Sequence, residues 1–161
     1  MKHIISVLVD NKPGVLIRVA GLFSRRGYNI DSLAVGPAET KDVSRMTIVV
    51  HGDDQIVEQI TKQLNKLPDV KKVVDISNLP HVDRELVLFR VHSTGKTRAE
   101  IMTLVQAFRA KIVDVAEDSF IIEMTGNPDK INAIESLFGK FGVSDIVRTG
   151  KVVLARGKKG K

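Results

Sequence analysis

One order of elements, marked out by hydrophobic period, occurs twice in these 161 residues and limits the folds open to the chain. Residues 3–9 (HIISVLV) read as a strand. A helix follows from about Pro13 to Arg26, with Val15, Leu16, Val19, Ala20 and Phe23 on one stripe. Gly27 is its stop signal. Tyr28 to Val35 reads as a second strand, Gly36-Pro37-Ala38-Glu39 as a turn, and Ser44 to His51 as a third strand. Asp53 or Asp54 caps a helix carrying Ile56, Val57, Ile60, Leu64 and Leu67 at helical spacing. Pro68-Asp69 breaks it before a fourth strand, Val70 to Ile76.

The order then recurs. Leu86 to Val91 is a strand, and Thr97-Arg98-Ala99-Glu100 has the form of a capping box ahead of Ile101, Leu104, Val105 and Phe108. Lys111 to Val115 and Phe120 to Thr125 suit a hairpin. Asn127-Pro128 opens a helix with Ile131, Ile134, Leu137 and Phe138 inward, and Val143 to Arg148 and Val152 to Leu154 complete the unit. Strand–helix–strand–strand–helix–strand is the ferredoxin-like arrangement. The expectation is therefore an α+β protein of two tandem βαββαβ domains with antiparallel sheets. The first takes residues 1–77 and the second 84–161, joined by a linker at 78–83 that holds Pro80.

Both faces of several strands are apolar, as in Ile4-Ile5, Val7-Leu8-Val9 and Leu86-Val87-Leu88-Phe89. A sheet with helices on one face usually leaves its other face polar. The second face or an edge thus calls for cover, either from the other half of the chain or from a second copy in a homodimer.

Charge and composition exclude more than they assign. Hydrophobic residues at 43% and charged residues at 27% describe a globular domain, and no apolar run is long enough to span a bilayer. The opening residues run into Asp10 too soon for a signal peptide, so a cytoplasmic location is expected. Without cysteine, disulfides and thiolate zinc sites are excluded. Of the net charge of +6, the last eleven residues supply +5, from Lys151, Arg156, Lys158, Lys159 and Lys161. That concentration reads as a solvated basic tail, disordered over 157–161. With aromatics at only 4% and none among the basic residues, nucleic acid is not an expected partner, nor is a membrane.

Catalytic patterns are missing. His3, His51, His81 and His92 are dispersed, and no nucleophile elbow, dinucleotide fingerprint or phosphate loop occurs. Asp53-Asp54 and Glu117-Asp118 suit a helix cap and a hairpin turn better than an acid–base pair. Ser93-Thr94-Gly95-Lys96-Thr97 lacks phosphate-loop spacing and reads as a turn and cap.

The segment with site chemistry is Asp10-Asn11-Lys12-Pro13-Gly14-Val15-Leu16. With proline at the first helical position, the free N–H groups of the next turn and the positive helix end suit a small carboxylate. Gly14 admits close approach to the backbone, and Asn11 and Asn29 carry amide oxygens able to accept from an ammonium. The same residues also fit a purely local role, Asn11 and Asn29 as turn formers and Val15, Leu16 and Ile30 as core.

These residues resemble an ACT domain, an amino-acid-sensing module. Asn11 to Leu16, Gly21-Leu22-Phe23, Arg26-Gly27-Tyr28-Asn29-Ile30 and Ser44-Arg45-Met46-Thr47-Ile48 are similar to the small regulatory subunits of acetolactate (acetohydroxyacid) synthase. So are Val82-Asp83-Arg84-Glu85-Leu86, Phe108 to Val115, Thr125-Gly126 and Arg148-Thr149-Gly150, so the likeness covers nearly the whole chain. Lys12-Pro13 before Gly14, and Asp83 where glutamate is commoner, depart from the family pattern.

The resemblance implies a non-catalytic chain that binds and activates a catalytic large subunit carrying thiamin diphosphate, magnesium and FAD, with no cofactor of its own. It also implies feedback inhibition by valine, with leucine or isoleucine acting at higher concentration, between the first domains of a homodimer. The effector residues it implies are Asn11, Gly14, Val15, Leu16, Asn29, Ile30 and Val35. The carboxylate would lie near Gly14, Val15 and Leu16, and the ammonium near Asn11 and the facing copy's Asn29. The isopropyl group would lie on Leu16, Ile30 and Val35. The second domain is then expected to contact the large subunit. A different reading of the module is a stand-alone amino-acid sensor acting on another enzyme or on transcription.

Overall fold

In a computed structural model that describes residues 1–157, the elements follow the expected order and the chain divides into two units. The first contains β1 (Lys2–Asp10), α1 (Val15–Arg25), β2 (Ile30–Pro37), β3 (Val43–His51), α2 (Asp54–Asn65) and β4 (Val70–Asp75). Its antiparallel sheet has the order β2-β3-β1-β4, which leaves β2 and β4 at the edges. Ile5, Val7 and Val9 of β1 face Met46, Ile48 and Val50 of β3. Val15, Val19, Leu22 and Phe23 of α1 and Val57, Ile60 and Leu64 of α2 close this core. Full burial of each such side chain contributes about 1.5–3 kcal/mol, so the core accounts for the sheet–helix packing.

Local signals explain the helix ends. Gly27, at φ 69°, ends α1. Its N–H reaches the Ser24 carbonyl at 3.0 Å and the Tyr28 N–H reaches that of Phe23 at 3.0 Å, the bonding of a Schellman cap. Asp53 caps α2, its carboxylate accepting from the Ile56 N–H at 2.9 Å. The turn after β2 lies later than its Gly-Pro pair suggested. β2 runs through Pro37, where an edge strand can spare the missing N–H, and the chain reverses over residues 39–42, with Asp42 at φ 61°.

The second unit contains β5 (His81–His92), α3 (Arg98–Ala107), β6 (Lys111–Val115), β7 (Ser119–Gly126), α4 (Pro128–Phe138) and β8 (Val143–Arg148), with strand order β6-β7-β5-β8. Val87, Phe89 and Val91 pack on Ile122, Met124, Ile101, Ile131, Ile134 and Phe138. Pro128 takes the first turn of α4 and Asn127 caps it, accepting from the Lys130 N–H at 2.9 Å. Two expectations fail here. The Thr97–Glu100 capping box does not form, because the Thr97 hydroxyl accepts from the Thr94 N–H at 2.8 Å and Glu100 pairs with Lys140. Leu137 is 41% exposed, one position off the buried Ile131, Ile134 and Phe138 stripe.

The boundaries shift as well. The expected linker at 78–83 is partly strand, since β5 begins at His81, and the units divide between Val82 and Asp83. From Lys151 onward the chain groups with the first unit instead of completing the second. β9 (Val152–Ala155) pairs with β5, whose opening residues His81 and Val82 lie in the first unit. Val153 is buried on Ile4, Val49 and Ile76, on the sheet face away from the helices. The Arg156 N–H donates to the Pro80 carbonyl at 2.8 Å. Part of the apolar second face of the first sheet is thus covered by the chain's own β9. Residues 158–161 of the expected basic tail lie outside the described residues.

His3 is buried beside Asp75 and Ser77, its Nδ1 3.2 Å from the Asp75 carboxylate. Partial burial opposes charge on Asp75. Hydrogen bonds from the Ser77 hydroxyl and N–H and from His3 outweigh it and hold that carboxyl below the ordinary aspartate value.

Candidate functional site

The segment after β1 is organised by a turn that the hydrophobic pattern alone does not reveal. Lys12-Pro13-Gly14-Val15 forms a Pro-Gly turn with Gly14 at φ 84°, ψ −10°, the left-handed position a type II turn requires, and the Val15 N–H reaches the Lys12 carbonyl at 3.4 Å. The helix therefore begins at Val15, the last residue of the turn. Gly14 is its N-cap, and Pro13 precedes the helix instead of opening it. The first helical bond runs from the Arg18 N–H to the Gly14 carbonyl at 3.1 Å. The N–H groups of Gly14, Leu16 and Ile17 have no acceptor among the described residues. The expected anion-binding character of the turn survives on a different geometry.

Two residues that the sequence reading passed over frame this turn. Arg18 folds back along the first helical turn, and a Cβ added at Gly14 would come within 3.0 Å of its Nη1. Its Nε and Nη2 hold the Asp69 carboxylate at 2.8 and 2.6 Å. Asp69 also accepts, through its carbonyl, from the Asp10 N–H at 2.9 Å. The Asp10 carboxylate pairs with Lys71 at 3.1 Å. The fourth-residue spacing from Gly14 to Arg18 is visible in the sequence, whereas the partnership with Asp69, fifty-one positions further on, is not.

The other expected residues divide. Val15 is 2% exposed and belongs to the core, so only its backbone faces the turn. Leu16, read both as inward stripe and as pocket lining, is 44% exposed and stands off the buried stripe beside Ile17 at 77%. Ile30 packs partly against the core, and Val35 lies 48% exposed on edge strand β2. Asn11 is exposed, and its N–H donates to the Asp42 carbonyl at 2.9 Å. Among the described residues the Asn29 side chain bonds no backbone, its Nδ2 donating instead to the Asp31 carboxylate at 3.2 Å.

One chain does not bring Asn11 and Asn29 together. Asp10 pairs with Val43 and Ile30 with Val50, so the two asparagines flank positions seven residues apart along β3. That is about 23 Å, far beyond the reach of one amino acid. Gly14, Leu16 and Asn11 form one cluster, and Asn29, with Asp31 and His51, forms another at the opposite end of the sheet.

Comparison with known proteins assigns the chain. Residues 5–72 match the model of the AHAS small subunit-like ACT domain, and residues 84–157 match that of the small subunit of acetolactate synthase. The chain belongs to the acetolactate synthase small-subunit family. A probable acetolactate synthase small subunit of Archaeoglobus fulgidus is 58% identical over 159 residues, 99% of each chain. An acetolactate synthase small subunit of Mycolicibacterium smegmatis is 51% identical, over 98% of this chain and 93% of that one. The crystal structure of the acetolactate synthase small subunit from Thermotoga maritima superposes with a TM-score of 0.91, at 45% identity and 99% coverage of both chains. The two matched segments and this structure agree with two tandem units, the arrangement read from the repeated element order, the first of them an ACT domain.

The paired acids lie at a helix start and in a turn. Asp53 caps α2, and Glu117-Asp118 lies in the β6–β7 turn, where Arg98 bonds the carbonyls of Ala116 and Glu117 at 2.6 Å each. No group of three or more His, Asp or Glu side chains among the described residues could hold a metal ion, and no helix there is long and apolar enough to cross a membrane.

Proposed function

We propose that this chain is the non-catalytic regulatory partner of an acetolactate synthase large subunit, which it activates and renders sensitive to inhibition by valine. The observation that carries the sensing role is the helix start at Gly14, with the N–H groups of Gly14, Leu16 and Ile17 unspent among the described residues. A carboxylate accepting from them would also lie at the positive helix end. Exposed Leu16 offers apolar surface beside it.

The separation of Asn11 from Asn29 supports an effector held between two copies. β2 is an edge strand, and antiparallel pairing of β2 with β2 of a second copy reverses its ends. That brings the copy's Asn29 toward the sheet end that carries Asn11 and Gly14. In this homodimer, Asn11 and the second copy's Asn29 accept from the ammonium, while Leu16, Ile30 and Val35 meet the isopropyl group. Such a pocket separates aliphatic side chains weakly, about 1–3 kcal/mol per methylene, so leucine and isoleucine bind less tightly but bind. An effector that favours one arrangement of the assembly by about 1–3 kcal/mol suffices for inhibition.

The large subunit carries the thiamin diphosphate, magnesium and FAD chemistry, and this chain supplies no cofactor ligand. The assembly works in the cytoplasm, away from nucleic acid and membrane. Calorimetric titration of the purified chain with valine, leucine and isoleucine tests the sensor, with valine expected to be tightest. Binding of none of the three overturns it. Assay with pyruvate tests the division of labour. Turnover by this chain without a large subunit would refute a purely regulatory role.

A further inference from the structure

The end of the sheet that carries Asn29 holds a side-chain relay that the effector reading leaves unused. Pairing of β2 with β3 runs Ile30 to Val50 and then Ser32 to Val49, so Asp31 is the extra residue of a β-bulge. Bulges on edge strands re-aim a side chain. Here the bulge sets the Asp31 carboxylate between two neighbours. One oxygen accepts from the Asn29 Nδ2 at 3.2 Å, and the other bonds the His51 Nδ1. An amide whose NH2 is engaged by a carboxylate must turn its carbonyl oxygen the other way. Asp31 thereby fixes which end of the Asn29 amide is presented outward.

We propose that Asp31 is the residue that makes the site select for an ammonium group, by holding the Asn29 carbonyl outward and placing a carboxylate charge directly behind it. The proposal rests on the assignment of Asn29 to the effector site. A ligand with a hydroxyl in place of the ammonium can still donate to the Asn29 oxygen, but it gains nothing from the charge behind. His51 steadies the carboxylate from β3 and does not itself touch the ligand. Asp31 is in this sense a positioning residue, since it acts through Asn29 and through its charge.

The test compares L-valine with 2-hydroxy-3-methylbutanoate, which keeps the carboxylate and isopropyl group and replaces the ammonium by a hydroxyl. Binding to the full chain is read by calorimetry for the wild type, Asp31→Asn and Asp31→Glu. A charge-assisted interaction of this kind is expected to give the wild type about a 10-fold or greater preference for valine. Asp31→Asn, which keeps a hydrogen-bonding side chain at the bulge but loses the charge, should bring the ratio to within about 3-fold. Asp31→Glu should restore much of it. A loss of folding or of pairing would weaken both ligands together and leave the ratio where it was, so an unchanged ratio in Asp31→Asn overturns the proposal. If wild-type chain binds neither ligand, the effector site itself is wrong, and Asp31 has nothing to select.

Discussion

Substitution of Gly14 by alanine and by aspartate separates backbone strain from ligand competition at one position. At φ 84° any side chain is strained, and the left-handed conformation costs a non-glycine residue roughly 1–2 kcal/mol. The new Cβ meets the Arg18 guanidinium, at 3.8 Å from its Cζ and 3.0 Å from its Nη1. That atom is the tip of a flexible chain and yields at little further cost. Gly14→Ala should therefore lower the stability of the first unit by about 1–2 kcal/mol and leave valine binding measurable. Aspartate tolerates the left-handed region better than most residues. Its carboxylate would lie beside the Arg18 guanidinium and the free N–H groups of Leu16 and Ile17, where the effector's carboxylate is proposed to bind. Gly14→Asp should thus be no less stable than Gly14→Ala, yet lose valine binding and feedback inhibition while still activating the large subunit. Urea unfolding followed by circular dichroism gives the first quantity, calorimetry and the reconstituted synthase assay the others. Wild-type valine affinity in Gly14→Asp would refute the placement of the carboxylate. Loss of activation together with loss of the unfolding transition would show that the substitution only unfolds the unit.

Three further outcomes follow from the packing and the charges. Val153→Ala removes two methyl groups from the buried contact with Ile4, Val49 and Ile76 and should cost about 1.5–3 kcal/mol, read as a lower urea midpoint. Asp75 has its carboxyl held below the ordinary aspartate value, so its contribution to stability is present above that value and lost as pH falls through the lower folded one. Asp75→Asn should accordingly flatten the dependence of the urea midpoint on pH in this acid range. Glu85 is 7% exposed and is held by Arg148 at 2.7 and 3.1 Å, which raises the guanidinium's own pKa. Arg148→Met strands that carboxylate and should cost about 3 kcal/mol, whereas adding Glu85→Met should recover much of the loss in the same unfolding assay.

The parts of the fold legible in the sequence are those fixed within a few residues. Asp53 lies three positions before the N–H it caps, and Asn127-Pro128 carries both its cap and its first-turn proline, so both helix starts could be read locally. The Thr97–Glu100 pair had the same local form and failed, because Thr94 and Lys140 hold its two side chains. Pro13 failed more subtly, since a proline before glycine can either open a helix or fill a type II turn, and the φ of Gly14 decides between them. Partnerships over long separations were not legible at all. Nothing in Val152–Ala155 says which sheet it joins, and nothing near Arg18 names Asp69. The apolar stripe of α1 correctly gave Val15, Val19 and Phe23 as core but not that Leu16 lies outside it.

The return of β9 to the first unit sets an order on synthesis. Residues 1–82 leave the ribosome long before 151–157, yet the face formed by Ile4, Val49 and Ile76 is closed by Val153. A nascent first unit must therefore wait, with that face uncovered, while the whole second unit is made. Closing the resulting long loop slows the last step far more than it weakens the product. Folding of the first unit is in this way timed to completion of the second.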